Sequence, residues 1–177
     1  RCLVGSEMCI RDRNVDIDDI KAALDEEESS RIELQDGYTL ILVDVPTTEI
    51  RHDKQSYTTI PLGIILTQDV IVTVCTEDTP VLKNFVINRV KEFSTKKRLR
   101  FVYQILYRAA TMYQQELRLI DRRRQEIEKN LTGTLRDSDL MELHGLESTL
   151  VYFRNLTACQ QHGFGPVDPL QAAGTVP

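Results

Sequence analysis

The feature that most constrains this chain is an unbroken helical pattern from Leu99 to Leu131. The stretch has no proline and no glycine before Gly133, and it is rich in Leu, Arg, Gln and Glu, which favour helix. At 1.5 Å per residue such a helix is roughly 45 Å long, longer than a small domain is wide. Apolar residues recur along it at helical spacing, at Val102, Leu106, Ala110, Tyr113, Leu117, Ile120, Ile127 and Leu131.

The two halves of this predicted helix differ in character. Residues 101–113 are apolar on nearly every side, so we expect them to be buried in a domain. Residues 118–129 keep only a narrow apolar stripe among charged side chains, and a helix of this kind needs a partner for its stripe.

A second helix follows in the chain. Gly133 suits the left-handed position after a helix end, and the acidic and hydroxyl residues at 137–139 can cap the next helix. Leu and Phe then recur at spacings of three or four between 140 and 156. Residues 99–158 are therefore predicted to form a long antiparallel helical hairpin that projects from a globular body. An ordinary helical pair within a core is the alternative.

The body, residues 14–98, begins with a predicted short helix over residues 14–28, capped by Asp16, with Ile17, Ile20 and Leu24 on one face. This helix would end in the acidic run 25–28, and acids there oppose the helix macrodipole. Two candidates could relieve that charge.

Arg31 is one candidate and a divalent cation is the other. We prefer a solvated acidic run partly neutralised by Arg31, and we name Asp25 and Glu26 as candidate metal ligands.

Strand patterns fill the centre of the body. The predicted strands are residues 31–36, which alternate polar and apolar side chains, and residues 38–45, 57–60, 62–67 and 70–76. Hairpin turns are predicted at Asp36-Gly37 and Gln68-Asp69. Pro46 is expected to end its strand, with residues 47–56 as a surface connection.

Thr79 and Pro80 then begin a helix that is predicted to run to about Phe93. Together these patterns predict an α/β chain of the mixed α+β kind. A small mixed or antiparallel sheet flanked by helices would precede the long helical hairpin.

Composition and motifs exclude several function classes. The chain is 41% hydrophobic and 28% charged, as globular proteins are, and its net charge of -5 argues against a nucleic-acid partner. It has no apolar run of membrane-spanning length, so we expect this region itself to be soluble. Its four cysteines fit neither a zinc site nor a disulfide framework. No nucleophile motif, phosphate loop or histidine pair is present, so we predict no enzyme activity and no required cofactor.

A basic cluster surrounds the start of the long helix. It comprises Arg89, Lys96, Lys97, Arg98 and Arg100. An anionic partner is one interpretation, and a solvated loop is the one we prefer.

Both ends of the chain differ from the rest. Residues 1–13 have no usable period and resemble a translated sequencing adaptor, so we interpret them as a non-native leader and exclude them from the fold prediction. Residues 160–177 contain three glycines and three prolines. We therefore interpret residues 159–177 as an irregular tail, with an artefactual origin as one explanation.

Five segments, in this order, closely resemble the cytoplasmic N-terminal domain of the CorA family of magnesium and cobalt transporters. They are AALDEEESSRIE at Ala22–Glu33, LILVDVP at Leu40–Pro46, TIPLGIILTQDVIVTV at Thr59–Val74, LYRAATMYQQELRLIDRRRQEIEK at Leu106–Lys129 and LHGLESTLVYF at Leu143–Phe153. The resemblance covers about Asn14 to Ala158, and the combination of the five segments is specific to the family.

The resemblance implies a truncated regulatory domain of a divalent-cation transporter. In the family, this domain precedes a stalk helix and two membrane helices, assembles as a homo-pentamer at the cell membrane, and lies on the cytoplasmic side. Mg²⁺ is then both the transported and the regulatory ion, held by carboxylates between domains. The family's Gly-Met-Asn signature, stalk and membrane helices are absent here, so this region is not expected to conduct ions itself.

The resemblance also limits the metal prediction. By alignment of the short helix, the regulatory carboxylate of some family members falls near Ala22, which has no ligand atom. An adaptor or oligomerisation module that uses the helical hairpin, with no ion role, is the alternative function.

Overall fold

The computed structural model describes residues 15–51, 54–87, 89–94, 96–130 and 137–163. The elements in these ranges are α1 (Ile17–Ala22), β1 (Arg31–Gln35), β2 (Tyr38–Arg51), β3 (Lys54–Thr67), β4 (Ile71–Cys75), α2 (Pro80–Val86), α3 (Arg98–Asn130) and α4 (Asp137–Gly163). The predicted fold class is confirmed: a small sheet with helices precedes a long helical hairpin. The sheet is antiparallel throughout.

The four strands lie in the order β1-β2-β3-β4, so each strand pairs with its neighbour in sequence. Both predicted hairpin turns are confirmed. Gly37 adopts a φ of 91°, which glycine reaches without a steric penalty. At the other turn the Thr67 amide donates to the Val70 carbonyl at 3.0 Å, which closes the connection at Gln68 and Asp69.

The sheet is covered on both faces. On one face Ile41, Val43 and Leu62 pack with residues of α2 and α3 into the largest buried cluster. On the other face Leu40, Ile65 and their neighbours pack around the α1 segment. Strict alternation along β2 and β3 therefore sends apolar side chains into two cores, which explains their near-continuous apolar sequences.

The prediction that Pro46 ends its strand is wrong, because β2 continues to Arg51 and pairs with β3 as far as Lys54. Most of the predicted surface connection is therefore strand, and residues 52–53 lie outside the described part. Pro46 pairs with Thr59 beyond the end of β1, and Pro61 lies beyond the end of β4. A proline is tolerated in such positions because its missing amide has no neighbouring strand to bond.

Helix α1 is shorter than predicted and ends at Ala22 rather than Glu28. Asp16 caps its first turn as expected, accepting from the Asp18 amide at 3.0 Å. Ala23 is fully buried against Gly63 of β3, so the chain turns there and the acidic run follows the helix instead of ending it. The predicted apolar face is correct only at Ile20, which packs against the buried cluster, because Ile17 and Leu24 are about half exposed.

Helix α2 begins as predicted, with Thr79 as cap and Pro80 in its first turn, but it ends at Val86 instead of Phe93. Glu92 adopts a positive φ of 55°, which is incompatible with a continuing helix. The resulting bend brings Phe93 back against Phe85 and Phe101, with ring centroids 5.4 and 5.0 Å away.

The long helix is confirmed as α3, with 33 residues and a length of about 50 Å. The predicted stripe is confirmed at Val102, Tyr113, Ile120 and Ile127, which are buried, and the buried face also includes Ile105 and Ala109. Ala110 and Leu117 are exposed, and so are Tyr103 and Tyr107, although burial on nearly every side was expected for that half. The helix therefore lies on the sheet with one face only.

The antiparallel partner is α4, which packs against α3 and also contacts β1. It continues to Gly163, about five residues beyond the predicted end, because the first proline comes only at Pro166. The connection that contains Gly133, residues 131–136, lies outside the described residues, as do 1–14 and 164–177.

Candidate functional site

The joint between the sheet and the helical hairpin carries a buried polar group, Asp44 of β2. Its carboxylate accepts a hydrogen bond from the Ser30 hydroxyl at 2.7 Å. Burial raises the pKa of Asp44 above its ordinary value, and the Ser30 hydrogen bond opposes that rise only in part. The contact fixes the segment after α1 to the second strand.

Tyr113 of α3 connects three elements at this joint. Its hydroxyl donates to the backbone carbonyl of Asp44 at 3.2 Å, which attaches the helix to β2. Its ring meets the Phe153 ring of α4 edge to face, with centroids 5.4 Å apart. Ile120 completes this cluster, and both Ile120 and Phe153 are buried. This buried cluster of Tyr113, Ile120 and Phe153 therefore holds the α3–α4 hairpin on the sheet.

Glu116 lies one turn beyond Tyr113 on the same helix. One of its carboxylate oxygens is shielded from solvent and has no hydrogen-bond partner within the described structure. Burial raises the pKa of Glu116, and burial together with the Glu116 charge raises the pKa of Tyr57 on β3. A carboxylate in this position weakens an otherwise apolar contact whenever it is ionised.

Ion pairs cover the outer half of the hairpin. Arg123 of α3 pairs with Glu142 of α4 at 2.5 Å, and the pKa of Arg123 is raised by that hydrogen bond. Side chains one turn apart on α3 are also paired: Gln125 donates to Asp121 at 2.9 Å, and Arg124 bonds Glu128. Apart from Glu142, which is partly buried, these groups are largely solvent-exposed, so the exposed pairs contribute little to stability.

The predicted metal candidates, Asp25 and Glu26, are both exposed. Asp25 accepts a hydrogen bond from the Glu27 amide at 3.0 Å, and Arg31 pairs with Glu28 at 2.5 Å, as the neutralisation argument predicted. Within the described ranges, no group of three or more His, Cys, Asp or Glu side chains is placed to hold a metal ion.

The basic cluster is partly used by the fold. Arg98 donates to the Thr67 carbonyl at 2.7 Å, which ties the start of α3 to the β3–β4 turn, and Arg100 pairs with Glu92. Lys96 and Lys97 are exposed. This arrangement agrees with the preferred interpretation of a largely solvated connection.

Sequence reasoning missed the polar groups of the joint. Asp44 was visible as the one charge within an apolar strand, and such a residue needs a buried partner. Glu116 was visible too, because it occupies the position between Tyr113 and Ile120 where the buried face should continue. The joint holds no reactive constellation in the described residues. What it offers is a rigid connection between the sheet and the hairpin.

Comparison with known proteins agrees with this architecture. Residues 10–164 match the family described as CorA-like Mg2+ transporter protein. A cobalt/magnesium transport protein, CorA of Methanocaldococcus jannaschii, is 28% identical over 149 residues, which are 78% of this chain and 44% of that protein.

Solved structures share the fold. The complete CorA magnesium transporter of M. jannaschii superposes with a TM-score of 0.71 at 20% identity, covering 96% of this chain and 52% of that one. Its soluble domain gives a TM-score of 0.71 at 20% identity, with 86% and 60% covered. The ZntB cytoplasmic domain of Vibrio parahaemolyticus gives 0.64 at 13% identity, with 87% and 60% covered.

The chain therefore spans about half the length of the relatives it matches. In the part of the chain that the structure describes, no helix combines the length and apolarity needed to cross a bilayer. The family match extends over most of the sequence, including the sheet, the joint and both helices of the hairpin. The chain belongs to the family of CorA-like Mg2+ transporter proteins.

Proposed function

We propose that this chain is the cytoplasmic regulatory part of a CorA-type divalent-cation transporter, with Mg²⁺ or Co²⁺ as the ion that the intact protein carries. The observation that carries the proposal is the α3–α4 hairpin fixed on an antiparallel sheet in a chain that matches the CorA family. The solved soluble domain of a CorA protein with the same fold supports it.

The geometry suggests how such a part would act. Helix α3 runs without interruption from Val102, in the core of the body, to Ile127 in the hairpin. Because a continuous helix is stiff over this distance, a displacement of the sheet would reach the far end of the hairpin instead of being absorbed in a loop. The Tyr113–Asp44 contact and the buried Ile120 would transmit that displacement.

Assembly and location are part of the same proposal. We infer a homo-pentamer attached to the cell membrane in the intact protein, with this region on the cytoplasmic side, because that is the arrangement implied by the family resemblance. The relatives found are transport proteins, which supports a binding and gating role over catalysis.

Asp25 and Glu26 remain proposed as cation contacts in the intact protein. Their carboxylates are exposed and lie on a turn that Arg31 fixes through Glu28, so they could meet a neighbouring subunit. Oxygen ligands of this kind suit Mg²⁺, which keeps several of its waters. Two carboxylates alone make a weak site, so we expect little Mg²⁺ response from the separate chain.

The test uses the full-length gene product beside the 177-residue chain. Millimolar Mg²⁺ should raise the melting temperature of the full-length protein, because a ligand that binds only the folded assembly stabilises it, and should leave the short chain nearly unchanged. Mg²⁺ uptake in cells that lack their own transporter should appear with the full-length gene. If the gene product neither takes up Mg²⁺ nor responds to it, the proposal fails.

The double substitution Asp25→Asn with Glu26→Gln tests the cation contacts separately. In the full-length protein it should reduce the Mg²⁺-induced rise in melting temperature. The matched control is Asp36→Asn, which removes an exposed acid from the β1–β2 turn. An unchanged Mg²⁺ response in the double variant would remove these two residues from the proposal and leave the transporter assignment standing.

A further inference from the structure

The first turns of α3 present a line of large side chains to solvent. Leu99, Tyr103 and Tyr107 follow one another at intervals of four residues, so they share one face of the helix. Their exposed fractions are 59%, 69% and 75%. The opposite side of the same turns, with Val102 and Ile105, is buried on the sheet. The exposed line therefore adds nothing to the core of the body.

Positive charge surrounds this line. Lys96 and Lys97 are exposed just before α3 begins, and Arg100 is exposed between Leu99 and Tyr103. Between residues 79 and 115 the chain has eight lysines or arginines and a single acid, Glu92, although the whole chain carries a net charge of -5. Glu92 already pairs with Arg100. An acidic chain is thus locally basic where α3 begins.

We refer to these exposed residues together as the α3 start face: Lys96, Lys97, Leu99, Arg100, Tyr103 and Tyr107. A basic cluster alone is consistent with a solvated connection, but here the structure places two tyrosine rings beside the bases. Lysine and tyrosine both combine an apolar body with a polar tip, and such side chains suit a boundary that is apolar on one side and wet on the other. The headgroup region of a lipid bilayer is a boundary of this kind.

We propose that the α3 start face binds the surface of a bilayer that contains anionic phospholipids. Headgroup phosphates lie against Lys96 and Lys97, and the rings of Tyr103 and Tyr107 enter the headgroup region beside them. The choice of a bilayer rests on the proposed function, which puts this region next to a membrane in the intact protein. The two proposals fail separately, because Mg²⁺ uptake does not require lipid binding by this face.

The acidic remainder of the chain is compatible with this contact. At physiological ionic strength, exposed charges more than about 8 Å apart are largely screened from each other. The bilayer therefore interacts mainly with the side of the protein that is turned towards it. The net negative charge then selects the orientation, because other sides of the chain are repelled and the α3 start face is attracted.

Shape favours a bilayer over a single-stranded nucleic acid, which is the other polyanion that basic and aromatic side chains bind. Proteins that bind single strands hold the backbone in a positively charged groove and stack bases on aromatic rings. The α3 start face is the outer side of one helix and is convex, so it fits a broad surface better than a strand.

The contact of one chain should be weak. A lysine near an anionic surface strengthens binding about fivefold, so two lysines and two tyrosines give partition that is measurable only at high lipid concentration. Several copies in one assembly would bind much more tightly, because the later contacts become intramolecular.

The experiment measures binding of the 177-residue chain to sedimenting vesicles. We expect binding to phosphatidylcholine vesicles with about 30% phosphatidylglycerol, and none to phosphatidylcholine alone. Lys96→Gln with Lys97→Gln should weaken the binding on the order of tenfold. Lys21→Gln with Arg122→Gln is the matched control, because it removes the same charge from exposed positions outside the face, and it should change binding by less than about twofold.

The tyrosines are tested in the same assay. Tyr103→Ala with Tyr107→Ala should weaken the binding to anionic vesicles, since it removes both rings and leaves every charge in place. Tyr103→Phe with Tyr107→Phe should retain most of it, because the rings remain. Equal binding by the alanine and phenylalanine variants would show that the rings do not enter the bilayer and would overturn the proposal.

A fluorescent reporter tests the orientation directly. The chain has no tryptophan, so Tyr103→Trp introduces a single one on the face. Its emission should shift to shorter wavelength on anionic vesicles. Met141→Trp is the control at a position on α4 that is 76% exposed, and its emission should not shift. A shift in both variants, or in neither, contradicts the proposed orientation.

Three results of the binding assay overturn the proposal. The first is a chain that does not bind anionic vesicles at any lipid concentration used. The second is an equal loss of binding in the two double variants that remove lysine or arginine, since net charge alone would then explain it. The third is tighter binding to a single-stranded oligonucleotide than to vesicles at equal phosphate concentration, which would make the face a nucleic-acid site.

Discussion

The Tyr113 hydroxyl donates a hydrogen bond of 3.2 Å to the backbone carbonyl of Asp44, although the two residues lie 69 positions apart in the sequence. This bond joins the middle of the long helix to the centre of the longest hairpin of the sheet. The same tyrosine ring packs on Phe153 of α4. The contacts of Tyr113 with Asp44 and Phe153 therefore help to fix the orientation of the hairpin relative to the sheet, in addition to the apolar packing between them.

Removal of the Tyr113 hydroxyl should measurably lower the free energy of unfolding. Tyr113→Phe is expected to lower the free energy of unfolding by about 0.5–1.5 kcal/mol, because it deprives a buried carbonyl of a donor and keeps the ring contacts. Urea denaturation of the 177-residue chain measures it. Tyr107→Phe on the same helix, where the side chain is 75% exposed, is the control and should change stability by less than about 0.5 kcal/mol.

The hairpin core should depend on Ile120, which is fully buried, and not on its neighbour Leu119, which is 44% exposed. Ile120→Ala should cost about 2–5 kcal/mol, because it removes buried methylene groups and leaves a cavity beside Phe153. Leu119→Ala should be close to neutral, since alanine is a strong helix former. Equal losses in the two variants, measured by urea denaturation, would contradict the described face of α3.

The long helix could be predicted because its evidence is local. Composition, the absence of breakers before Gly133 and the spacing of apolar residues all act within the helix itself. The Thr79-Pro80 helix start and the Asp36-Gly37 turn are local in the same sense. Each depends on a few adjacent residues whose backbone preferences do not require the rest of the fold.

The remainder could not be predicted from local patterns. Pro46 ends a strand only if its missing amide faces a neighbour, and that depends on where β1 stops, which the sequence around Pro46 does not contain. The phase of the buried stripe on α3 likewise depends on the sheet beneath it, so Ala109 is buried while Ala110 is exposed. Asp44 and Tyr113 become partners only in the tertiary structure.

Stability should depend on pH through Asp44. Burial raises its folded-state pKa above the ordinary 3.8, so the folded protein holds this proton more tightly than the unfolded chain does. Its contribution is then fully present below about pH 3.8 and is lost as pH rises through the raised pKa. Asp44→Asn should therefore gain stability relative to wild type as pH rises from 4 to 7, as measured by urea denaturation at each pH.

The control for this pH dependence is Asp36→Asn, a substitution at an exposed turn. Its stability difference from wild type, measured over the same range, gives the baseline with which the Asp44→Asn difference is compared. A constant difference for Asp44→Asn relative to this baseline would mean that the buried carboxyl group does not titrate differently in the folded and unfolded states.

Ionisation of Glu116 should make stability depend on pH in the same direction as ionisation of Asp44 does. Burial raises the folded-state pKa of Glu116 above its ordinary value of 4.5. When the pH rises above 4.5, the ionised side chain therefore opposes packing at the joint. Glu116→Gln is expected to be more stabilising, relative to wild type, at pH 7 than at pH 4. The measurement at pH 4, where the wild-type side chain is largely protonated, serves as the internal control for changes in shape.

The contact between Gly63 and Ala23 makes the strictest geometric prediction. A Cβ at Gly63 would lie 2.4 Å from the Cβ of Ala23, which is itself fully buried. Gly63→Ala must therefore push the α1 segment off the sheet or bend β3, and overpacking of this kind costs about 1–3 kcal/mol or more.

Gly145→Ala is the matched control: it lies in α4 with open space around it, so the same substitution should stabilise the chain by up to about 1 kcal/mol through helix propensity. Opposite signs for one chemical change, measured by denaturation of both variants, would establish that the segment after α1 packs directly on Gly63. A neutral Gly63→Ala would show that the segment after α1 is not packed against this strand.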